Sequence, residues 1–512
     1  MKWNKLDWLA ILTLGLVPLV FFAPVVFQGQ TFFFHDISIA YVPLNAFNTR
    51  TLQAGELPLW NRYLDGGYPL AGLPESAPFY LLNLILLLPL PITTTHTWYL
   101  VVHYMLAGVF TYLLTRCGLH LGRAPSLLAG LTFAFSGTMI AQLTNFALVT
   151  TWIWMPLILY FFVRGLETSR VGYAVLAGVA LAVQVSKSHT QMVLYTAGIL
   201  GLYALFAFVA GFRDRKGAHT LMPFGHLLLV LLVGAGLSAF QLFYTAELIQ
   251  RSDRSTGLTF ATMTALSYPP LYFIKFLVPG FLGSFQNYVG EGNFTELHAY
   301  AGILPLILMP FAFFKPRHWR VWFFTTLLVL CVVLSLGRYT PLYRGLIYLP
   351  IFNFFRVPAR WLFLASFSIS ILAAYGAHNL METEEAAETG DRPSESDAGA
   401  PILPYLVGGL VLVGAVGLLW LWNSTADPAA SRVAGVFDRP ELVAAYYNLA
   451  EHNPDKRAYL VIEGVAENSY QVEQQREEEA FQQRVQRAYA DMQRSLLHFL
   501  LILTLGLVLV LG

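Results

Sequence analysis

Charged residues are scarce in this chain, and the scarcity decides its class. Only 12% of the 512 residues are Asp, Glu, Lys or Arg, against roughly 25% in soluble domains. Hydrophobic residues make up 56%, and the mean hydropathy is +0.57. Apolar runs of about 20 residues, each long enough to cross a bilayer, recur along nearly the whole length. The sequence therefore predicts an all-α polytopic protein of the cell membrane.

Three further absences narrow the function. The formal net charge is only +1, so no bulk positive field points to nucleic acid. The two cysteines, Cys117 and Cys331, lie in or beside apolar runs and provide neither a disulfide framework nor metal-ligand spacing. The predicted outer loops contain no Asp-x-Asp, so we predict no cofactor and no tightly held metal, which leaves a labile divalent cation open.

Hydropathy places about twelve membrane spans. Lys and Arg gather in the loops on one side, which the positive-inside rule assigns to the cytoplasm together with both termini. The apolar run 78–91 is short and bracketed by prolines, and counting it as a span would break this alternation, so we interpret it as re-entrant or interfacial. The predicted spans are 6–27, 98–115, 125–143, 147–163, 171–187, 190–210, 221–247, 298–314, 321–336, 357–380, 401–422 and 495–512.

The same pattern predicts how the chain is divided. Three long segments lie on the outer side, and the first is expected to carry short helices beside the membrane. These segments are 28–97, 248–297 and 423–494. The predicted divisions are a transmembrane core (1–380), a disordered acidic cytoplasmic linker (381–400) and a two-span tail with a short outer helical segment (401–512).

Ionisable residues at the outer ends of spans are the informative exceptions. A basic residue at mid-bilayer costs about 2.5–3.5 kcal/mol on insertion scales, and such residues are usually functional or paired. In "FRVPARW", Arg356 and Arg360 are four residues apart and share a face if both are helical. Two guanidinium groups at a helix N-terminus make a phosphate receptor. The alternative is that both snorkel to lipid headgroups.

Other outer residues carry the same ambiguity. Lys187 and His189 occupy the predicted turn "SKSHTQ", where a polar turn with a snorkelling lysine is the plainer interpretation. Glu296 and His298 enter a span and need a partner or a water-filled cavity. Trp60 has the character to stack on a sugar ring or an isoprenoid, although interfacial aromatic belts are common.

The stretch "FFFHDISIAYVPL" places His35 and Asp36 where the first span ends. A hydrated helix end is the simple explanation. However, every cluster of this kind falls on the same predicted face of the membrane. Acids, bases and arginines gathered beside lipid suit chemistry on a lipid-linked phosphate.

These segments together resemble the bacterial YfhO-type membrane proteins, which belong with the GT-C-like glycosyltransferases. The matches run in order over roughly residues 30–380 and include "HDISIAYVPL", "GELPLWNRYLDGGYPLAG", "FAFSG", "SHTQMVLY" and "FRVPARW", of which the last is the most distinctive. The resemblance implies a GT-C-like fold and an enzyme that moves a sugar from a polyprenyl-phosphate donor to an extracytoplasmic acceptor, such as an envelope polymer or lipid.

The resemblance also implies roles for residues. Asp36 matches the position of an acidic residue in the first outer loop and is expected to be the general base, with His35 orienting it or binding the donor. The donor phosphate is expected at Arg356, Arg360 and Lys187. Sugar or acceptor contacts are expected from Glu296, His298, Trp60, His189 and Tyr41.

Two other classes of function stay open at this point. A secondary transporter or lipid flippase typically has ionisable residues near mid-helix and inverted repeats, and the sequence shows no repeat. A non-catalytic membrane protein of envelope assembly has no feature that distinguishes it here from an enzyme.

Overall fold

The computed structural model describes most of the chain up to residue 388. The predicted tail spans, the outer tail segment, His35 and the linker from residue 389 onward lie outside it, apart from six isolated residues near the end of the chain. The described residues are 3–28, 30–32, 36–64, 66–73, 75–187, 189–213, 221–252, 257–285, 287–314, 319–349, 352–388, 483, 487, 490, 494, 495 and 498.

The described residues form helices joined by short irregular segments, with isolated bridges in place of strands. In chain order the α-helices are α1 Lys5–Phe21, α2 Ala23–Phe27, α3 Val42–Gln53, α4 Ile92–Leu113, α5 Arg123–Ala134, α6 Gly137–Ala141, α7 Phe146–Trp152, α8 Trp154–Thr168, α9 Val171–Lys187, α10 Thr190–Arg213, α11 Met222–Leu237, α12 Ala239–Gln250, α13 Phe260–Met263, α14 Ile303–Leu308, α15 Trp319–Ser335, α16 Leu342–Leu346 and α17 Leu362–Glu388. The π-turns are Ile37–Tyr41 and Leu114–Gly118, and the 3₁₀ turns are Leu70–Gly72, Leu81–Leu87, Gln142–Thr144, Pro270–Phe276, Met309–Phe313, Gly337–Tyr339, Phe352–Phe354 and Pro358–Trp361.

Five helices in the described chain are long and apolar enough to cross a membrane. A sixth span is available if the pair α11 and α12, bent by 75°, counts as one. These findings confirm a helical membrane protein; the count of about twelve spans and the GT-C fold stay predictions. The long helices are Ile92–Gly118, Arg123–Thr144, Phe146–Thr168, Thr190–Phe212 and Pro358–Glu382, and the shorter apolar ones are Val171–Lys187, Ile303–Phe313 and Trp319–Ser335.

The segment 28–97, predicted to lie on the outer side, contains short helices. The π-turn Ile37–Tyr41 runs directly into α3. Within the apolar run 78–91, the structure has only the seven-residue 3₁₀ turn Leu81–Leu87. At about 2 Å of rise per residue, that turn is about 14 Å long, far short of a bilayer core of about 30 Å. This length agrees with leaving the run out of the spans.

Helix α17 is the central element of the bundle. It packs against α5, α14 and α15, and its buried face is rich in small residues that let neighbours approach closely. Gly376 is the extreme case, because a Cβ there would overlap the main-chain oxygen of Leu308. The helix continues to Glu388, beyond the predicted boundary at 380, and the linker itself stays a prediction.

Helix α4 is long enough to cross a bilayer, and an ion-paired group lies at its C-terminal end. With its terminal π-turn it covers 27 residues, about 40 Å at 1.5 Å per residue. Near its C-terminus, Arg116 Nε and Tyr112 OH each donate to Asp7 Oδ1 at 2.9 Å, and Arg123 Nε lies 3.3 Å from the same oxygen. Asp7 is only 1% exposed, so this ion-paired group fixes α1 against α4 and α5.

A second ion-pair group lies beside the first. Glu167 accepts hydrogen bonds from Arg164 Nη1 at 3.0 Å and Arg320 Nη2 at 2.6 Å, and His120 Nε2 lies 3.0 Å away. Leu121, next to His120 in the chain, accepts from Arg116 Nη1, which puts both groups at one end. Their arginines are among those that the charge pattern assigns to the cytoplasm; the side of the membrane stays a prediction.

Residues Leu277–Phe294 belong to a second compact unit. Within this segment Asn287 Oδ1 accepts hydrogen bonds from the main-chain N and the Oγ of Ser284, both at 2.6 Å. Val289 N donates to Leu282 O at 3.0 Å. These hydrogen bonds all lie within the segment and stabilise its local structure.

Candidate functional site

A buried ion pair stands at the start of the central helix α17, where the sequence pointed to unusual charges. Arg360 Nη2 donates to Glu296 Oε1 at 2.6 Å, and Arg360 Nε lies 3.2 Å from both carboxylate oxygens. The two side chains are 9% and 8% exposed. Glu296 Oε2 also accepts from Gln142 Nε2 at 2.9 Å. The carboxylate is therefore held by charge-assisted bonds on both of its oxygens.

The other side of Arg360 faces the first turn of α10. Arg360 Nη1 donates to Gln191 Oε1 at 3.0 Å and lies 3.5 Å from His189 Nε2. Gln191 Nε2 donates in turn to the main-chain oxygen of Arg356 and to Tyr195 OH, both at 2.9 Å. One glutamine thus joins the ion pair to the chain that precedes α17.

Three hydrogen bonds fix the main chain that presents Glu296 and His298. Gln142 Nε2 donates to Thr295 O at 3.1 Å, Lys275 Nζ to Leu297 O at 2.7 Å, and Gly137 N to Tyr300 O at 2.6 Å. The imidazole of His298 lies directly over Gly137, where a Cβ would come within 2.8 Å of its ring. The glycine of "FAFSG" is therefore required for this approach.

Lys187 is the last residue of α9 and lies inside the bundle. It is 1% exposed, and its Nζ is 5.1 Å from the ring centroid of Phe146, 5.7 Å from that of Tyr80 and 5.8 Å from that of Tyr99. Within the described chain, its ammonium forms no hydrogen bond or ion pair. Ring faces attract a cation, so this aromatic box holds the amine in a place where water is excluded.

His103, on α4, lies beside this aromatic box. His103 Nδ1 must donate to Tyr99 O, so His103 Nε2 accepts from Tyr80 OH at 2.8 Å. The Tyr80 oxygen in turn accepts from Trp154 Nε1 at 2.8 Å. The indole nitrogen of Trp154, the hydroxyl of Tyr80 and both ring nitrogens of His103 therefore all have hydrogen-bond partners.

Tyr41 lies against the aromatic box of Lys187. Its hydroxyl donates to Asn145 Oδ1 at 2.7 Å, and its ring centroid is 4.1 Å from that of Phe146. Burial raises the pKa of Tyr41 well above its usual value, and the carboxylates of Glu75 and Asp36 raise it further. Glu75 is also the carboxylate whose charge acts on Lys187. Tyr41 and Lys187 therefore share one buried environment around the ring of Phe146.

Arg356 lies on the surface, unlike Arg360. Its guanidinium is exposed and, among the described residues, makes no hydrogen bond or ion pair. It borders a small aromatic pocket with a cavity volume of about 20 Å³. Aromatic rings form much of the wall, and Tyr195 stacks on Trp361 with centroids 4.0 Å apart. The pocket lining comprises Gln191, Leu194, Tyr195, Met263, Tyr343, Phe352, Phe355, Arg356 and Trp361.

The condition under which both arginines would share a helix face is not met, because Arg356 is not helical. Val357 adopts a left-handed conformation with φ of 65°, so regular helix begins only at Pro358. The break turns Arg356 toward solvent and Arg360 into the bundle. Arg360 and Lys187 are buried, which excludes snorkelling for both.

The structure brings several predicted site residues together and leaves Arg356 and Trp60 apart. Arg360 contacts Glu296 and His189, and Lys187 and Tyr41 both lie against the ring of Phe146. His298 follows Glu296 by two residues and lies over Gly137, and Asp36 directly precedes the π-turn that ends at Tyr41. Trp60 is 58% exposed and lies over Gly67 of its own loop, where a Cβ would meet the ring at 2.7 Å. It forms none of the contacts of Arg360 or Lys187 given above, and His35 lies outside the described residues.

Sequence reasoning missed the neutral residues of this cluster. Gln142, Asn145 and Gln191 stand at helix ends, where polar residues are common, so type and position gave little signal. Glu75 and Lys275 are ionisable residues of the first two predicted outer segments, and their charge was the only signal that the sequence offered for them. No group of three His, Cys, Asp or Glu residues in the described chain could hold a metal ion; a labile cation stays a prediction.

Together these features define a polytopic helical membrane protein with a polar cluster buried at one end of its bundle. The profile of the family described as "Bacterial membrane protein YfhO" matches residues 16–423, which is most of the chain. The chain therefore belongs to this family, which confirms the resemblance seen in its motifs. No curated protein matches the chain.

Proposed function

We propose that the protein is a glycosyltransferase that moves a sugar from a polyprenyl-phosphate donor to an extracytoplasmic acceptor. One observation carries the proposal: a convergence of acids and bases beside an exposed arginine. Arg360 is paired with Glu296, and Gln191 joins this pair to the main chain of the exposed Arg356, while Lys187 lies in its aromatic box. A transfer from a lipid phosphate needs a base for the acceptor and positive charge for the departing phosphate.

Asp36 is the base in this proposal. The acceptor hydroxyl attacks the anomeric carbon, its proton passes to the Asp36 carboxylate, and the bond from that carbon to the phosphate oxygen breaks. The polyprenyl phosphate leaves with the electron pair. Glu296 is the weaker candidate for this role, because Arg360 and Gln142 already occupy both of its oxygens. A carboxylate held in this way positions sugar or acceptor groups better than it accepts a proton.

The three basic residues have different roles in this proposal. Arg356 is exposed at the mouth of an aromatic pocket, where it can meet the donor phosphate directly, with the isoprenoid against the rings. Arg360 is buried and holds Glu296 in place. Lys187 supplies positive charge from within the aromatic box as the phosphate departs.

The test is turnover of purified protein with a panel of polyprenyl-phosphate sugars and envelope polymers. Release of polyprenyl phosphate that depends on an acceptor is expected. Arg356→Ala should lower donor use strongly, and Arg356→Lys should restore it only in part, because lysine lacks the bidentate fork. Arg344→Ala, at another exposed arginine, is the matched control. Absence of release with every donor, or equal loss in the control, would count against the proposal.

A transporter or flippase is the second candidate, and one observation favours it. The pair α11 and α12 is bent by 75° at Ser238, and broken helices are a feature of transporters. The two functions differ in outcome. Reconstituted vesicles would move the intact lipid-linked sugar across the bilayer if this candidate is right, with no acceptor-dependent cleavage.

A further inference from the structure

Gln191 has an amide whose orientation the chemistry of its partners determines. Arg360 has only donors, so the atom facing its Nη1 at 3.0 Å must be the oxygen. The main-chain oxygen of Arg356 has only acceptor capacity, so the atom facing it at 2.9 Å must be the nitrogen. The second amide hydrogen goes to Tyr195 OH at 2.9 Å. Gln191 is 4% exposed, so few solvent molecules compete for these bonds.

The chain that Gln191 holds is strained. Val357 has φ of 65° and ψ of 74°, a region where β-branched residues are outliers and where each such residue costs about 1–3 kcal/mol. A residue before proline is also biased toward extended conformations. Such strain persists only where surrounding bonds over-determine the backbone. Gln191 supplies one such bond at Arg356 O, and Ala359 N supplies another by donating to Leu266 O at 3.3 Å.

Gln191 also belongs to the pocket that Arg356 borders. Its second donor bond reaches Tyr195, whose ring stacks on Trp361, and Trp361 Nε1 donates to Tyr343 OH at 3.1 Å. The same side chain thus fixes the aromatic wall and the main chain from which the Arg356 guanidinium projects. Its third bond anchors both to the Arg360–Glu296 ion pair.

We propose that Gln191 is a positioning residue for the donor: it holds the strained backbone at Arg356 so that the guanidinium meets the phosphate of an isoprenoid that lies against the aromatic rings bordering the pocket. This inference rests on the proposed function. It predicts that Gln191 acts on donor binding through Arg356, and that the chemical step keeps its rate once the donor is bound.

The experiment is a double-mutant cycle on the full chain in detergent, with geranylgeranyl phosphate as the probe. Geranylgeraniol and inorganic phosphate, titrated separately, distinguish recognition of a lipid phosphate from recognition of either part alone. Gln191→Met should weaken binding about tenfold. In the Arg356→Ala background the same change should add almost nothing, because the guanidinium that it positions is gone. With the sugar donor, KM should rise while kcat stays near the wild-type value.

Gln184→Met is the matched control. Gln184 is 0% exposed and donates to a main-chain oxygen (Thr151, 3.0 Å) and to a hydroxyl (Thr196, 2.9 Å), the same pair of bonds deeper in the bundle. It should leave probe binding unchanged. Gln191→Asn takes the place of Gln191→Met if that variant does not fold, since it keeps the amide but is one methylene too short to bridge both arginines.

The outcomes separate the two proposals. If the wild type binds the probe and Gln191→Met binds it equally, or if the two changes are additive, the inference about Gln191 is wrong and the proposed function stands. Equal weakening by Gln184→Met would also overturn it. If the wild type does not discriminate the lipid phosphate from the alcohol, the proposed donor site fails and the role of Gln191 fails with it.

Discussion

Breaking the buried ion pair tests the site most sharply at the level of stability. Arg360→Met leaves the Glu296 carboxylate, 8% exposed, with Gln142 as its remaining described side-chain donor. Removing one partner of a buried pair typically costs about 3–5 kcal/mol, because the other charge stays buried without compensation. Glu296→Gln in the same chain removes that charge. The double variant should therefore be about 1–3 kcal/mol more stable than the two single effects predict by addition.

The assay is reversible unfolding in mixed micelles, followed by tryptophan fluorescence. The exposed pair of Arg251 and Glu247 provides the control, since its atoms are 2.8 Å apart, close to the 2.6 Å of the buried pair, but its side chains are 77% and 57% exposed. Arg251→Met should have little effect, as surface pairs contribute little. The reasoning is refuted if Arg360→Met is as mild as Arg251→Met, or if the two changes at the buried pair simply add.

Three further predictions concern other parts of the molecule. Burial lowers the pKa of Lys275 from 10.5 to about 7. Between these values the unfolded chain binds a proton that the folded one lacks, so stability should rise with pH, by at most about 1.4 kcal/mol per unit. Lys275→Met should flatten that slope in unfolding measurements from pH 7 to 9, and an unchanged slope would contradict the assignment. Gly376→Ala should lower the melting temperature markedly because its Cβ would overlap Leu308 O; an unchanged value would show that α17 can shift. A membrane-impermeant maleimide should label Tyr348→Cys in intact cells and Arg170→Cys only after permeabilisation, and the opposite pattern would reverse the orientation.

Hydropathy and charge indicate which segments are apolar helices and which charged residues are unusual, but they do not predict which residues of different segments contact each other. Arg360 and Glu296 stood out because charge at the outer end of a span is unusual. Their pairing joins positions 64 residues apart, which no local pattern encodes. The left-handed Val357 decides which arginine is buried, and the sequence "RVP" disfavours that conformation. Tertiary bonds, including the one from Gln191, hold it in place.

An interruption within one predicted span shows the same limit. The span predicted at 125–143 agrees with the membrane-length element Arg123–Thr144, but the α-helix is interrupted after Ala134, and Ser136 Oγ accepts from Met139 N at 3.4 Å to start α6. The motif "FAFSG" contains this cap, yet an apolar window averages over it. The break turns Gln142 toward Glu296, so an interruption too short for hydropathy to register becomes part of the site.

The central claim is that Asp36 takes the proton of the acceptor. The most direct measurement is the rate of polyprenyl-phosphate release at saturating donor by Asp36→Asn, with donor affinity measured on the same preparation. We expect a loss of about 10²–10⁴-fold in rate with folding and donor affinity nearly intact, while Glu56→Gln, at an exposed acid farther along the same outer segment, stays at the wild-type rate. Turnover by Asp36→Asn at the wild-type rate would contradict the account.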